Sequence, residues 1–222
     1  MTTRGSALTP MPRDYVKNPA EIYRRSFATI EAEARLDALP EQLRAVARRM
    51  IHACGMTDLV DDLAWEDDPV AAARRAIGGG APILTDAQMV ASGIIRGRFP
   101  KTEIVCVIAE DAVADAARRL GTTRSAAAVE LWRGRLDGAV VAIGNAPTAL
   151  FHLLDLIEAG GPRPAAIFGF PVGFVGAVES KQALIDAHLG IPYLTLRGRR
   201  GGSAIAAAAI NALADDQPGA EA

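Results

Sequence analysis

Short apolar runs alternating with helical patterns constrain this chain more than any other feature. The runs are 81–84, 103–108, 138–143, 165–170 and 193–196. Each is bounded by Gly, Pro or charge, which is how a strand buried on both faces reads. Helical periodicity occupies the intervals at 69–77, 86–93, 111–120, 124–136, 148–159, 175–188 and 203–213. Two more helices, 20–38 and 40–53, come first. Asn18-Pro19 supplies the N-cap and first-turn proline of one, and Cys54-Gly55 stops the other. Strand–helix–strand alternation requires parallel pairing through right-handed crossovers. The expected fold is α/β: an open, mainly parallel sheet with helices on both faces, preceded by N-terminal helices. Residues 14–214 read as one domain, 1–13 as a flexible arm and 215–222 as a flexible tail.

Composition excludes several classes. Lys and Arg number 24 against 26 Asp and Glu, a net charge of −2, which lacks the basic excess of a dedicated nucleic-acid binder. The two cysteines, Cys54 and Cys106, offer neither a disulfide framework nor a cysteine metal site. No targeting signal or apolar span is visible, so a cytoplasmic protein that does not enter membranes is expected.

In an open α/β sheet, ligands sit at the carboxyl ends of the strands. Four polar or glycine-rich segments fall there: Thr85-Asp86, Gly144 to Thr148, Gly169 to Gly176 and Gly198 to Ser203. The last of these is the strongest anion signal. Its glycines expose backbone N–H groups, a helix begins at Ser203, and Arg199 and Arg200 are bidentate donors. An exposed basic turn would read the same way. It matches neither the phosphate loop nor the dinucleotide fingerprint. A nucleotide enzyme on this scaffold would need that fingerprint after its first strand, and Thr85-Asp86 lacks it. Asn145 either meets a ligand or caps the next helix. The loop 171–176, with Glu179, Ser180 and Lys181 behind it, is either a close-approach loop or a tight strand-to-helix turn.

The chain has three histidines, His52, His152 and His188, none with a partner at metal-ligand spacing. His52 ends a helix, where the C-terminal dipole favours the imidazolium and so suits a proton donor. A capping or packed histidine fits the same position. Tyr23 and Ser26 lie one turn apart on the first helix. Arg124-Ser125 opens another behind Thr122-Thr123. The acidic run 58–68 reads as a solvated face.

Several of these stretches together resemble the precorrin-8X methylmutase family of cobalamin biosynthesis. They are Ala20 to Phe27, Arg49 to Gly55, Gly80 to Val90, Thr123 to Ala127, Ile143 to Leu150, Pro171 to Ala177 with Glu179 to Lys181, and Gly198 to Ser203. The resemblance runs from about residue 14 to 214. It implies an isomerase that moves a methyl group from carbon 11 to carbon 12 of the tetrapyrrole precorrin-8X, giving hydrogenobyrinic acid. It implies no organic cofactor and no metal, and a homodimer with its sites near the subunit interface. It places the catalytic histidine on His52 and a substrate contact on Ser26. Tyr23, Thr85, Arg124 and Ser125 match further pocket positions. With Asn145, Thr148, Lys181 and Arg199 they are the expected contacts for the substrate's carboxylates. The nearest variant is the cobalt-containing substrate of the anaerobic pathway. A carrier that only binds a tetrapyrrole is the other alternative.

Overall fold

The structure is a computed structural model that describes residues 13–214. The expected tail, and all of the expected arm except Arg13, lie outside the described residues.

Six strands form one sheet in the order β1-β6-β5-β4-β2-β3. They are β1 (Leu63–Glu66), β2 (Ile83–Thr85), β3 (Ile104–Val105), β4 (Val140–Ile143), β5 (Ala166–Gly169) and β6 (Tyr193–Leu196). All neighbours pair in parallel except β1, which runs antiparallel to β6 with Leu63 opposite Leu196. The helices are α1 (Pro19–Glu33), α2 (Glu41–Cys54), α3 (Pro69–Gly78), α4 (Gln88–Gly93), α5 (Asp111–Leu120), α6 (Arg124–Leu131), α7 (Pro147–Glu158), α8 (Ala177–Asp186) and α9 (Ser203–Asn211).

Strand periodicity of two divides the core. Ile83, Val140, Ala142, Ala166, Phe168, Leu194 and Leu196 join residues of α2, α3, α4 and α9 in one apolar cluster. Leu84, Val141, Ile143, Ile167 and Tyr193 point the other way, into a cluster with α6, α7 and α8. Covering both faces is what a parallel sheet requires, and the continuous apolar strands record it. The expected mainly parallel sheet with helices on both faces is the fold observed.

Three boundaries and one further strand depart most from expectation. The first helix stops at Glu33, because Ala34 turns extended and a 3-10 turn at Leu36–Ala38 carries Leu36 and Leu39 into the core. Leu39 also precedes Pro40, which disfavours helix there. The run 103–108 pairs only at Ile104–Val105, since it is an edge strand with one neighbour. The helix from Arg124 ends at Leu131, and turns bury Trp132 and Leu136. Strand β1 was not expected at all. It lies inside the acidic run, and its four residues are too few to show an alternation.

Two N-terminal signals are borne out in detail. The Asn18 side chain accepts from the Glu21 N–H at 3.2 Å, with Pro19 opening α1. Gly55 closes α2 in the left-handed conformation (φ 70°), donating its N–H to the Ile51 carbonyl at 2.7 Å.

Candidate active site

His52 occupies the last turn of α2, and α1 lies across it. Ser26 Oγ is 2.7 Å from His52 Nδ1. Tyr23 stacks on the imidazole with ring centres 5.1 Å apart, and Phe27 meets it edge-on at 5.4 Å. Tyr23, Ser26 and Phe27 share one face of α1 because they are three and four residues apart. One helix thus supplies a hydrogen bond and two aromatic walls, which together fix the ring's plane and rotation. Arg48 lies over the outer side of Phe27 at 4.9 Å and pairs with Glu31 at 2.9 Å. The ring opens on a cleft of about 260 Å³ lined by Ser26, Thr29, Glu33, Ile51, Gly55 and Thr57 among others.

The segment after α2 ties this histidine to the sheet's carboxyl rim. Arg200, in the loop after β6, donates to Asp58 at 2.9 Å and to Asp62. Asp58 and Asp62 belong to a 3-10 turn that begins two residues beyond Gly55. Part of the acidic run, still exposed at Asp58 and Asp61, thus also anchors a rim loop. Asp61 pairs with Arg35, and Asp68 caps α3 by accepting from the Ala71 N–H at 2.9 Å.

Three rim loops are joined backbone to backbone. Gly202 N–H donates to the Phe170 carbonyl at 2.9 Å, and Phe170 N–H to the Ile143 carbonyl at 2.7 Å. Val172 N–H reaches the Asn145 carbonyl and Gly173 N–H the Arg199 carbonyl, both at 3.4 Å. A Cβ on Gly144 would sit 2.8 Å from side chains of Ala206 and Val90, so only glycine lets β4 leave the sheet between α4 and α9.

Two buried charges brace this platform from beneath. Asp86 is 1% exposed, and its carboxylate accepts the N–H groups of Gly144, Asn145 and Ala146 at 2.8, 3.0 and 2.8 Å. Burial pushes its pKa up, against the downward pull of those three donors. Sequence reasoning placed Asp86 on the rim but gave it no role, because its partners lie 58 to 60 residues away. On the other side, the Lys181 ammonium donates to the Arg200 carbonyl at 2.6 Å.

Lys181 and Thr85 were expected to meet the ligand, and the structure gives both a different task. Lys181 is fully buried under the β6 loop. Thr85 is 1% exposed and donates its hydroxyl to the Val105 carbonyl at 3.0 Å, bridging β2 to β3. Thr85 is used within the sheet, and the Lys181 ammonium is used beneath the β6 loop on the Arg200 carbonyl. Arg124 is exposed and donates to the Ile108 carbonyl at 2.8 Å, and Ser125 is half-buried beside it. Thr148 Oγ1 pairs with Thr123 Oγ1 at 2.8 Å, joining the starts of α6 and α7. Asn145 is exposed, and Ala146 rather than Asn145 takes the N-cap position of α7. Arg199 is exposed, with its guanidinium 5.4 Å from the Phe174 ring. Of the other histidines, His152 Nε2 pairs with Glu130 at 2.8 Å, and His188 adopts φ 42° after α8.

Burial lowers the Lys181 pKa from the ordinary 10.5 to about 8. Between those two values the unfolded chain holds the proton and the folded chain has lost it. Stability therefore rises with pH across that window, by at most about 3 kcal/mol. Lys181→Met should flatten this rise when denaturant unfolding is followed from pH 7.5 to 10.5. Identical pH slopes in the two proteins would show that the ammonium is not held in a low-dielectric site.

Fold and site together define a class: an open-sheet α/β protein with a histidine fixed at a cleft and with Arg124 and Arg199 exposed on the rim of its sheet. Known proteins narrow that class. The sequence profile described as precorrin-8X methylmutase matches residues 21–216. A precorrin-8X methylmutase of Pseudomonas aeruginosa is 55% identical over 205 residues, covering 92% of this chain and 99% of that one. A cobalt-precorrin-8 methylmutase of Priestia megaterium is 36% identical, covering 88% of this chain and 87% of its own. A crystal structure of precorrin-8x methyl mutase from Thermus thermophilus superposes with a TM-score of 0.79 at 39% identity. It covers 88% of this chain and 94% of that one. This chain belongs to the precorrin-8X methylmutase family, whose members are isomerases that move a methyl group within one molecule.

Proposed function

We propose that this chain converts metal-free precorrin-8X to hydrogenobyrinic acid by moving a methyl group from carbon 11 to carbon 12, with His52 as proton donor and acceptor. The observation that carries the reading is the His52 ring, held by Ser26 between two aromatic side chains at a cleft. Substrate and product are isomers, so no atom is gained or lost. Any proton that His52 lends to the macrocycle must return to it. Protonating the conjugated ring lowers the barrier to the carbon-to-carbon shift, and general acid–base help of this kind is worth about 10²–10⁴-fold.

The migration is a sigmatropic shift, so the reaction as proposed requires neither a nucleophile nor a cofactor. The substrate's acid side chains are met by Arg124 and Arg199, with Ser26, Tyr23, Ser125, Asn145 and Thr148 as polar neighbours. Identity supports the metal-free substrate over the cobalt form, 55% against 36% for the two relatives above. Clefts that enclose even drug-sized ligands measure about 300–1,000 Å³. The His52 cleft is smaller, at about 260 Å³. A second protomer completing the enclosure accounts for that difference, and a homodimer is part of this proposal. No described helix is long and apolar enough to cross a membrane.

Incubation with precorrin-8X and with cobalt-precorrin-8, each followed by its visible spectrum, tests the assignment. Conversion of precorrin-8X to the hydrogenobyrinic acid spectrum is expected. Preference for the cobalt substrate would reverse the assignment, and no change with either would remove it.

A further inference from the structure

The crown of the loop after β5 is apolar yet held out in solvent. Phe174 is 87% exposed and Val175 89%, with Val172 and Val178 at 42% and 41% on either side. Single exposed apolar residues are ordinary, but a contiguous run at the carboxyl end of an open α/β sheet, where such folds take their ligands, marks a contact surface. Glycines with positive φ bracket the crown, Gly173 at 140° and Gly176 at 80°, so the chain can lift Phe174 and Val175 off the platform without strain. The loop is anchored on both sides. Val172 N–H reaches the Asn145 carbonyl, and Gly173 N–H reaches the Arg199 carbonyl.

Charge specifies what should cover this surface. The Arg199 guanidinium lies 5.4 Å from the Phe174 ring centre and, among the described residues, makes no ion pair. Its neighbour Arg200 is neutralised by Asp58 and Asp62. Arg124, toward the opposite side of the rim, donates to the Ile108 carbonyl and, among the described residues, makes no ion pair. The matching ligand has a flat apolar face and a carboxylate at its edge. A protein partner would need an acidic group set beside a planar apolar surface of similar width.

We propose that Phe174 and Val175 form an apolar bed for one face of the tetrapyrrole, and that Arg199, steadied on the Phe174 ring, takes a carboxylate at its margin. The assignment rests on the function proposed above and adds two contacts to it. Phe174 contributes apolar area and holds the guanidinium, and Val175 extends the bed. Arg199 sets the position of the macrocycle's edge.

Titration with hydrogenobyrinic acid, followed by its absorbance, tests this in the full-length protein. Three proteins are compared at low and high salt: wild type, the double variant Phe174→Ser/Val175→Ser, and Arg199→Gln. Both apolar side chains lie outside the core, so the fold is retained, which circular dichroism checks. The double variant should bind about ten- to hundredfold more weakly at either salt concentration. Arg199→Gln should bind several-fold more weakly at low salt, with the difference shrinking at high salt. Light scattering is run on all three. Unchanged affinity in the double variant overturns the proposal. So does a change in its molecular mass, which would assign the loop to a contact between copies of the chain. If wild type itself fails to bind, the functional reading falls and this inference falls with it.

Discussion

His52→Ala is expected to abolish turnover while leaving product binding within a few-fold of wild type. Ser26, Tyr23 and Phe27, which hold the ring, all come from α1. Removing it leaves that helix and the rim in place. What disappears is an imidazole in the cleft, the side-chain type suited to lend a proton near neutral pH and take it back. The loss should be about 10²–10⁴-fold in the rate of the chemical step. A single-turnover experiment at saturating precorrin-8X, read by the visible spectrum, separates chemistry from product release. The half-buried ring contributes modestly to stability, about 1 kcal/mol, so a melting curve will show that the variant is folded. Retention of more than a tenth of the wild-type rate would sink the role given to His52. It would also favour a tetrapyrrole carrier over a catalyst in which this residue acts.

Gly201→Ala should be the most disruptive small substitution on the rim. A Cβ there would sit 2.5 Å from the Pro171 carbonyl oxygen and closer still to that of Phe170. Both obstacles are backbone, so no rotamer change can relieve them. The β6 loop would have to move off the β5 loop. That would stretch the Gly202 N–H bond to Phe170 and displace Arg200 from Asp58 and Asp62. Because those carboxylates belong to the turn following His52, the damage should reach the His52 ring. A loss of about 3 kcal/mol or more is expected. For a chain of this size that lowers the melting temperature by roughly 6–12 °C. Gly97→Ala is the matched control. Its Cβ would meet nothing within 4 Å, and it should change stability by no more than about 0.5 kcal/mol. Equal melting temperatures for the two variants would show that the rim loops are not packed as described.

Local signals in the chain carried the architecture well. The apolar runs became strands because each pleat must hide side chains on both faces, as Val140 with Ala142 and Val141 with Ile143 do. Asn18-Pro19 and Gly55 marked helix ends through backbone groups within four residues of themselves. The rim was legible too, since glycine-rich loops after strands can face only one way in a parallel sheet. Strand β1 was not, because an edge strand of four residues has one partner and that partner, β6, lies more than a hundred residues away.

The site divides along the same line. Sequence singled out His52, Ser26 and Tyr23 through a family resemblance, and spacing alone left His52 as a possible cap. The structure supplied the contact between Ser26 and His52, across 26 residues of chain. It also moved Lys181 and Thr85 from the ligand side to the interior. Their residue types suited a carboxylate-binding rim, but burial depends on what packs above them, and that comes from distant segments. Asp86 shows the converse: a carboxylate with no legible partner proves to hold the turn at Gly144 in place.

By itself the sequence determined the periodicities, the turns and the chemistry available at the rim, since these depend on neighbours within a turn or a pleat. Tertiary structure alone decided which cation stayed exposed. Arg199 and Arg200 are adjacent and chemically identical, yet Arg200 is tied to Asp58 and Asp62 while Arg199 rests on Phe174. That choice follows from where the turn after α2 lands when α2 packs on α9, and no local pattern encodes it.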